Sequence, residues 1–126
     1  MCTSQPLSRR SFLGGTLLAA APAASDRIRI GVIGVGNRSR LLIDQLPEEA
    51  EVVAVADCYL RRCEEAAAKK QAKWRLYQDY RRLLDGKDID AVLVGTTDHG
   101  RVLPCIHACQ AGKDVYAEKP LTLYLE

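Results

Sequence analysis

The residues from Arg27 to Arg38 constrain this chain more than any others. Ile28, Ile30, Val32 and Ile33 form a short run of branched apolar residues, the pattern of a buried strand and too brief for a helix. Gly34 and Gly36 follow at once, and Ser39 to Leu46 then reads as a helix. Strand, Gly-x-Gly turn and helix, in that order, form the context in which such glycines mark a dinucleotide site. Gly34 permits the tight turn, and Gly36 leaves the backbone without a Cβ where a pyrophosphate would approach. Asn37 and Arg38, at the helix start, offer free amides and the positive end of the helix dipole. Ser39 takes the third small position of the pattern, where Gly or Ala is usual, so its hydroxymethyl predicts strained helix–strand packing.

A second segment strengthens this reading. Glu51 to Asp57 forms another strand with an acid at its carboxyl end. Asp57 stands where the acid that accepts the ribose hydroxyls is expected, about 20 residues beyond the glycines. A carboxylate there repels a 2′-phosphate and favours NAD, while Arg61 and Arg62 nearby weaken that preference and keep NADP as the alternative.

From Arg27 onward, strands and helices alternate. A helix is expected from Tyr59 to Ala72, a weak strand from Lys73 to Tyr77, and a short helix capped by Asp79 and ended by Gly86. Asp90 to Thr97 is apolar on both faces, as a central parallel strand should be. A helix begun by Thr97 or Asp98 should run to Ala111, with Gly112 closing it and a fifth strand at Asp114–Ala117. This rhythm predicts an α/β fold with a doubly wound parallel sheet. In such sheets ligands bind beyond the carboxyl ends of the strands. Gly34, Gly36, Asp57, Thr96, Thr97, Glu118 and Lys119 all fall at such ends and are candidate cofactor-binding residues together with Asn37 and Arg38.

Residues 1–25 read as a leader rather than as fold. Ser8-Arg9-Arg10-Ser11-Phe12-Leu13 has the form of a twin-arginine export signal, an apolar run follows to Ala21, and Ala21-Pro22-Ala23 supplies an A-x-A cleavage site. The expected partner is the twin-arginine export machinery, and the expected location is the periplasm or cell exterior. That route carries folded proteins, which suits a chain loaded with a dinucleotide before export.

Charge and cysteine content narrow the remaining classes. The net charge of +2 equals the contribution of Arg9 and Arg10, so the chain beyond the leader is balanced and gives no reason to invoke nucleic acid. No apolar run approaches the roughly 18 residues that would span a bilayer. Cys58, Cys63, Cys105 and Cys109 lack zinc or redox spacing and are expected to be small buried apolar residues, with no metal site. His99 is expected at a helix start, and His107 is expected to be structural.

The run Gly31–Arg38, then Val55-Ala56-Asp57, Asp90-Ala91-Val92 and above all Ala111-Gly112-Lys113-Asp114-Val115-Tyr116-Ala117-Glu118-Lys119-Pro120-Leu121 resembles the Gfo/Idh/MocA oxidoreductases, over about Arg27 to Leu125. The resemblance implies a Rossmann domain over residues 26–126, lacking its last strand, and a second α/β substrate domain that these residues do not contain. It implies that Lys119 is the catalytic lysine beside nicotinamide and substrate, orienting a hydroxyl and assisting proton transfer. Glu118 and Pro120 hold that turn, often with a cis Lys-Pro bond. The implied substrates are sugars, cyclitols or related polyols, and the implied assembly is a homo-oligomer. An NAD-dependent glycosidase of the same superfamily is a second implied activity, and a catalytically silent dinucleotide-binding fragment a third. The sequence departs from the pattern at Ser39, at Thr97 where Pro is usual, and at Gly100-Arg101, which replaces an aromatic–His pair. A sheet lacking a terminal strand should expose an apolar edge, with marginal stability and association for the chain alone.

Overall fold

The computed structural model describes residues 26–124, so the leader expected over residues 1–25 lies outside the described residues. Five strands form one sheet: β1 (Ile28–Ile33), β2 (Ala50–Ala56), β3 (Arg75–Tyr77), β4 (Ala91–Val94) and β5 (Asp114–Ala117). Every pairing is parallel, and the order is β3-β2-β1-β4-β5. The chain winds outward from β1 to β3 and then crosses back to β4, so the strand order reverses between β1 and β4. This is the doubly wound arrangement that the alternating pattern predicts, and the crevice for a ligand falls at the reversal.

Helices cover both faces. Helices α1 (Asn37–Asp44) and α2 (Leu60–Lys70) pack on one side over Val32, Val35, Val55, Cys63, Ala66 and Leu93. Helices α3 (Tyr80–Leu84) and α4 (Val102–Gln110) close the other over Ile33, Ala54, Ala56, Leu83, Val92 and Val94. Adjacent residues such as Val32 and Ile33 serve opposite clusters, which is why the central strands are apolar throughout rather than alternating.

Several boundaries differ from the sequence pattern, each for a local reason. Helix α1 starts two residues early, with Gly36 as its N-cap. Helix α2 ends at Lys70 because Gln71 adopts a left-handed conformation (φ 50°), leaving only Arg75–Tyr77 for β3. Asp79 caps α3 as expected, its side chain accepting from the Arg81 amide. The helix expected from Thr97 to Ala111 is split: a 3-10 turn at Asp98–Gly100 precedes α4, and Arg101 stands at the junction with its side chain buried.

Among the described residues the β5 edge is unpaired. Tyr116, 56% exposed, lies across from Leu93 in the register, on the face that α1 and α2 cover further in. Leu121, Leu123 and Tyr124 are exposed beyond it, and Leu103 and Ile106 are exposed on α4. The apolar edge expected of the sheet is therefore present. The cysteines divide: Cys63 is buried and Cys105 half-buried, but Cys58 and Cys109 are exposed, which corrects the expectation of burial for those two. Cys58 lies two residues beyond β2, at the cleft, and Cys109 sits on the outward side of α4. Among the described residues no cluster of His, Cys, Asp or Glu could hold a metal, and no helix is long and apolar enough to cross a membrane.

Candidate functional site

The carboxyl ends of the strands enclose a cleft of about 310 Å³, within the size range of small-molecule sites. Gly34, Gly36, Asp57, Thr96 and Thr97 all line it, as do Cys58, Gln78 and Tyr80. Five of the residues singled out from sequence thus meet in one space.

Gly34 is held by geometry that no other residue tolerates. Its φ is +84°, and a Cβ there would lie 2.9 Å from the Thr96 amide nitrogen. The turn is that close because α1 presses onto the end of β4. Ser39 is fully buried there, its Oγ 3.4 Å from the Gly95 carbonyl oxygen. A Cβ on Gly95 would stand 1.9 Å from that Oγ. The strain expected from Ser39 is relieved because its partner is a glycine: the small residue missing from the helix is supplied by the strand.

Asp57 lies 7% exposed at the end of β2. Its Oδ2 accepts from the Val35 amide at 2.8 Å, inside the glycine turn, and its Oδ1 accepts from the Tyr59 amide at 2.9 Å. The carboxylate therefore ties the turn to β2. Oδ1 also takes a weak contact from the Cys58 thiol at 3.7 Å, which leaves Oδ2 with a second lone pair that could serve a ribose hydroxyl.

Glu118 and Arg38 meet across the sheet. Arg38 donates from Nε to Glu118 Oε1 at 2.8 Å, joining α1 to the end of β5. This bonded guanidinium holds the Glu118 carboxyl below the usual carboxylate range. Both were singled out as cofactor-binding residues, and here their side chains engage each other. Lys119 follows, exposed, at a cis Lys119–Pro120 bond. Neither Glu118 nor Lys119 lines the cleft itself; they border it at the next strand end.

Arg101 is the residue that sequence reasoning undervalued. It is 4% exposed, and its guanidinium donates to the Thr96 carbonyl at 2.7 Å, to Asp98 Oδ1 at 3.1 Å and to the Pro120 carbonyl. It clamps the turn after β5 to the end of β4. The available signal was a lone arginine after a glycine, just ahead of an apolar helix. His99 is exposed in the 3-10 turn, 3.4 Å from Thr97 Oγ1. His107 stacks on Tyr80 and pairs with its hydroxyl at 2.9 Å, as a structural histidine should.

These residues accommodate a dinucleotide. A Cβ built on Gly36 would meet nothing within 4 Å, so the space over the turn is open. The amides of Asn37 and Arg38 have no carbonyl one turn back within α1, which leaves them for phosphate oxygens. Thr96 Oγ1, at the wall of the cleft, is buried without a hydrogen-bond partner, an arrangement that calls for a ligand or water.

Fold and cleft together define a dinucleotide-binding Rossmann domain. The chain belongs to the Gfo/Idh/MocA oxidoreductase family, whose NAD-binding Rossmann fold it matches over residues 28–126. It is 35% identical over 102 residues to an inositol 2-dehydrogenase/D-chiro-inositol 3-dehydrogenase of Lacticaseibacillus casei, covering 79% of this chain and 30% of that protein. An alpha-N-acetylgalactosaminidase of Shewanella oneidensis is 30% identical over 132 residues, covering 97% of this chain and 28% of that one. A myo-inositol dehydrogenase from Lactobacillus casei, solved in complex with NAD(H) and myo-inositol, superposes with a TM-score of 0.73 at 34% identity, over 76% of this chain and 29% of that one. The chain thus spans about 30% of the length of the curated relatives it matches.

Proposed function

We propose that this chain supplies the nucleotide half of an exported enzyme that moves hydride between a nicotinamide and a carbinol carbon of a sugar, cyclitol or related polyol. In this reading residues 1–25 are a twin-arginine leader and residues 26–126 the cofactor domain. The observation that carries it is the meeting of Gly34, Gly36, Asp57 and Thr96 in one cleft, with Lys119 exposed at the next strand end.

When bound, the nicotinamide supplies the hydride acceptor or donor at its C4. The chain's own groups do the rest. Amides from Gly36 to Arg38 bind the diphosphate, and Asp57 accepts from the adenosine ribose. The Lys119 ammonium donates to the substrate hydroxyl oxygen, orients that carbon and stabilises the oxygen as its proton passes to a base supplied from outside the Rossmann fold. Arg38 and Arg101 fix the turn on which Lys119 stands.

The 126 residues alone are expected to bind the cofactor without turning over a polyol, since the substrate must be held over the ring by groups outside the Rossmann fold. Titration with NADH, followed by nicotinamide fluorescence, should saturate. No binding by a folded sample would sink the reading. In the longer enzyme, Lys119→Ala should retain NADH binding and lose turnover by about a hundredfold or more, the scale of a general acid–base contribution.

A second reading is the NAD-dependent glycosidase. It is favoured by the match to the alpha-N-acetylgalactosaminidase, which runs over 97% of this chain where the dehydrogenase match covers 79%. Turnover of a nitrophenyl glycoside with no net change in NAD would select it. Export is tested by Arg9→Lys with Arg10→Lys, which should retain the protein in the cytoplasm; unchanged export removes that part of the proposal.

A further inference from the structure

The amino ends of the strands, away from the cofactor cleft, carry a second hollow of about 580 Å³. It opens where the chain has yet to join β2 as β3. Helix α2 ends at Lys70, Gln71 turns the chain through a left-handed conformation, and β3 begins only at Arg75, opposite Ala54. Ala50, Glu51 and Val52 pair with β1 on one side, but among the described residues 50–53 have no strand on the other. Val52 and Val53 line the hollow together with Lys73 and the half-buried Trp74, and Ile43 and Leu46 add to its apolar floor. A recess of about 130 Å³ shares Ile43, Lys70 and Trp74 with it and reaches Lys69.

The rim of this groove is cationic. Arg27 lies 3.9 Å from Glu51, and Lys70 pairs with Asp44. Lys69 and Lys73 are exposed and carry no ion pair among the described residues. A half-strand without a neighbour presents backbone amides and carbonyls to which a further strand can add. Lysines beside such an edge keep basic strands away and favour one of opposite charge.

Charge also selects among occupants. Closed self-pairing sets the same patch of two copies together, which would bring these lysines against each other. Residues 1–25 contain Arg9 and Arg10 and no acidic residue, so the same repulsion opposes them.

We propose that the free half of β2 and the Trp74 hollow form a docking groove for an extended acidic segment of a partner protein. The segment adds as a strand beside Ala50–Val53, rests apolar side chains on Trp74, Ile43 and Leu46, and sets carboxylates against Lys69 and Lys73. The groove lies at the amino ends of the strands and the dinucleotide cleft at their carboxyl ends, so one chain can hold both ligands together.

Trp74 is the single tryptophan of the chain, and its emission reports on the groove. The probe is an end-blocked octapeptide of alternating Glu and Val, titrated into the full chain. Trp74 emission should shift and saturate, and raising salt from about 50 to 300 mM should weaken binding severalfold, because exposed charges are screened. Lys69→Glu with Lys73→Glu should weaken the peptide about tenfold, the scale of two exposed ion pairs lost, while NADH binding stays unchanged. An alternating Lys and Val peptide should not bind. A fully N-methylated Glu and Val peptide should not bind either, since it has no amide to donate to β2. No saturable shift, or equal binding by any of the three peptides, overturns the proposal. These peptide comparisons use the unaltered chain and hold even where the double variant fails to fold. Peptide binding that appears only after residues 1–25 are deleted assigns the groove to that segment, and a shift with protein concentration alone assigns it to a second copy. Either result overturns the partner named here.

Discussion

On the β1–β2–β3 side of the cleft, side chains such as Asp57, Gln78 and Tyr80 form the wall and backbone amides anchor it. Asp57 is fixed by the Val35 and Tyr59 amides, and the carboxyl-terminal halves of β1 and β2 beneath it are buried on both faces. On the β4–β5 side, the wall is held by two long cationic side chains. Arg38 grips Glu118, and Arg101 grips the carbonyls of Thr96 and Pro120. The contrast follows from where the sheet ends. Strands flanked by neighbours are positioned by ladder bonds and core packing. The turn after β5 lies beside an edge that is unpaired among the described residues, with Tyr116 and Leu121 exposed. Guanidinium groups do there what packing does on the other side. The β1–β2 half is therefore expected to be the stiffer one, and the half carrying Lys119 the more adjustable.

Three substitutions test that contrast. Gly34→Ala strikes the seam between the halves and should have the largest effect. The new Cβ would meet backbone atoms of Gly95 and Thr96 at 2.9–3.0 Å in a left-handed conformation, costing roughly 2–5 kcal/mol. Chemical denaturation should show the loss, and NADH binding should disappear with it. A variant of unaltered stability would mean the halves are not joined at this turn.

Arg101→Leu comes next. It strips the Thr96 and Pro120 carbonyls of their cationic donor in a buried site, a loss of about 2–3 kcal/mol. Hydrogen exchange should accelerate over residues 117–124 while β1 and β2 stay protected. Uniform acceleration across the sheet would erase the distinction between the two sides.

Arg38→Gln should have the smallest effect, because Arg38 is 55% exposed and such pairs are screened by solvent. Its signature is in pH dependence. The Glu118 carboxyl is held low in the folded chain by Arg38, so its contribution is present above the ordinary carboxylate range and is lost as pH falls through the lowered value. The variant should lose less stability than the parent between about pH 5 and pH 3. Identical acid profiles would show that the clamp does not couple to folding.

Much of the architecture was legible from residue patterns alone. The branched apolar runs at Ile28–Ile33 and Ala91–Val94, the Asp79 cap, the glycine turn and the acid at Asp57 each announce themselves within a few neighbours. Strand and helix periods are set by local backbone geometry, and Gly-x-Gly after a strand has few other uses. The doubly wound parallel class and a ligand cleft at the strand carboxyl ends follow from that rhythm, because parallel crossovers leave few alternatives.

Tertiary contact decided the rest. Ser39 looked strained until Gly95, far along the chain, proved to be its counterpart. Arg38 and Glu118 were each legible as residues of the site but not as partners, and Arg101 was legible only as a departure from a pattern. Arg40 on α1 donates to the Arg62 carbonyl on α2 only because the folded chain brings the two helices together. Periodicity reports which face of an element is buried. It does not report which of many arginines meets which of many carboxylates, because those pairings have the same chemistry everywhere and are selected only by the distances that the folded sheet imposes.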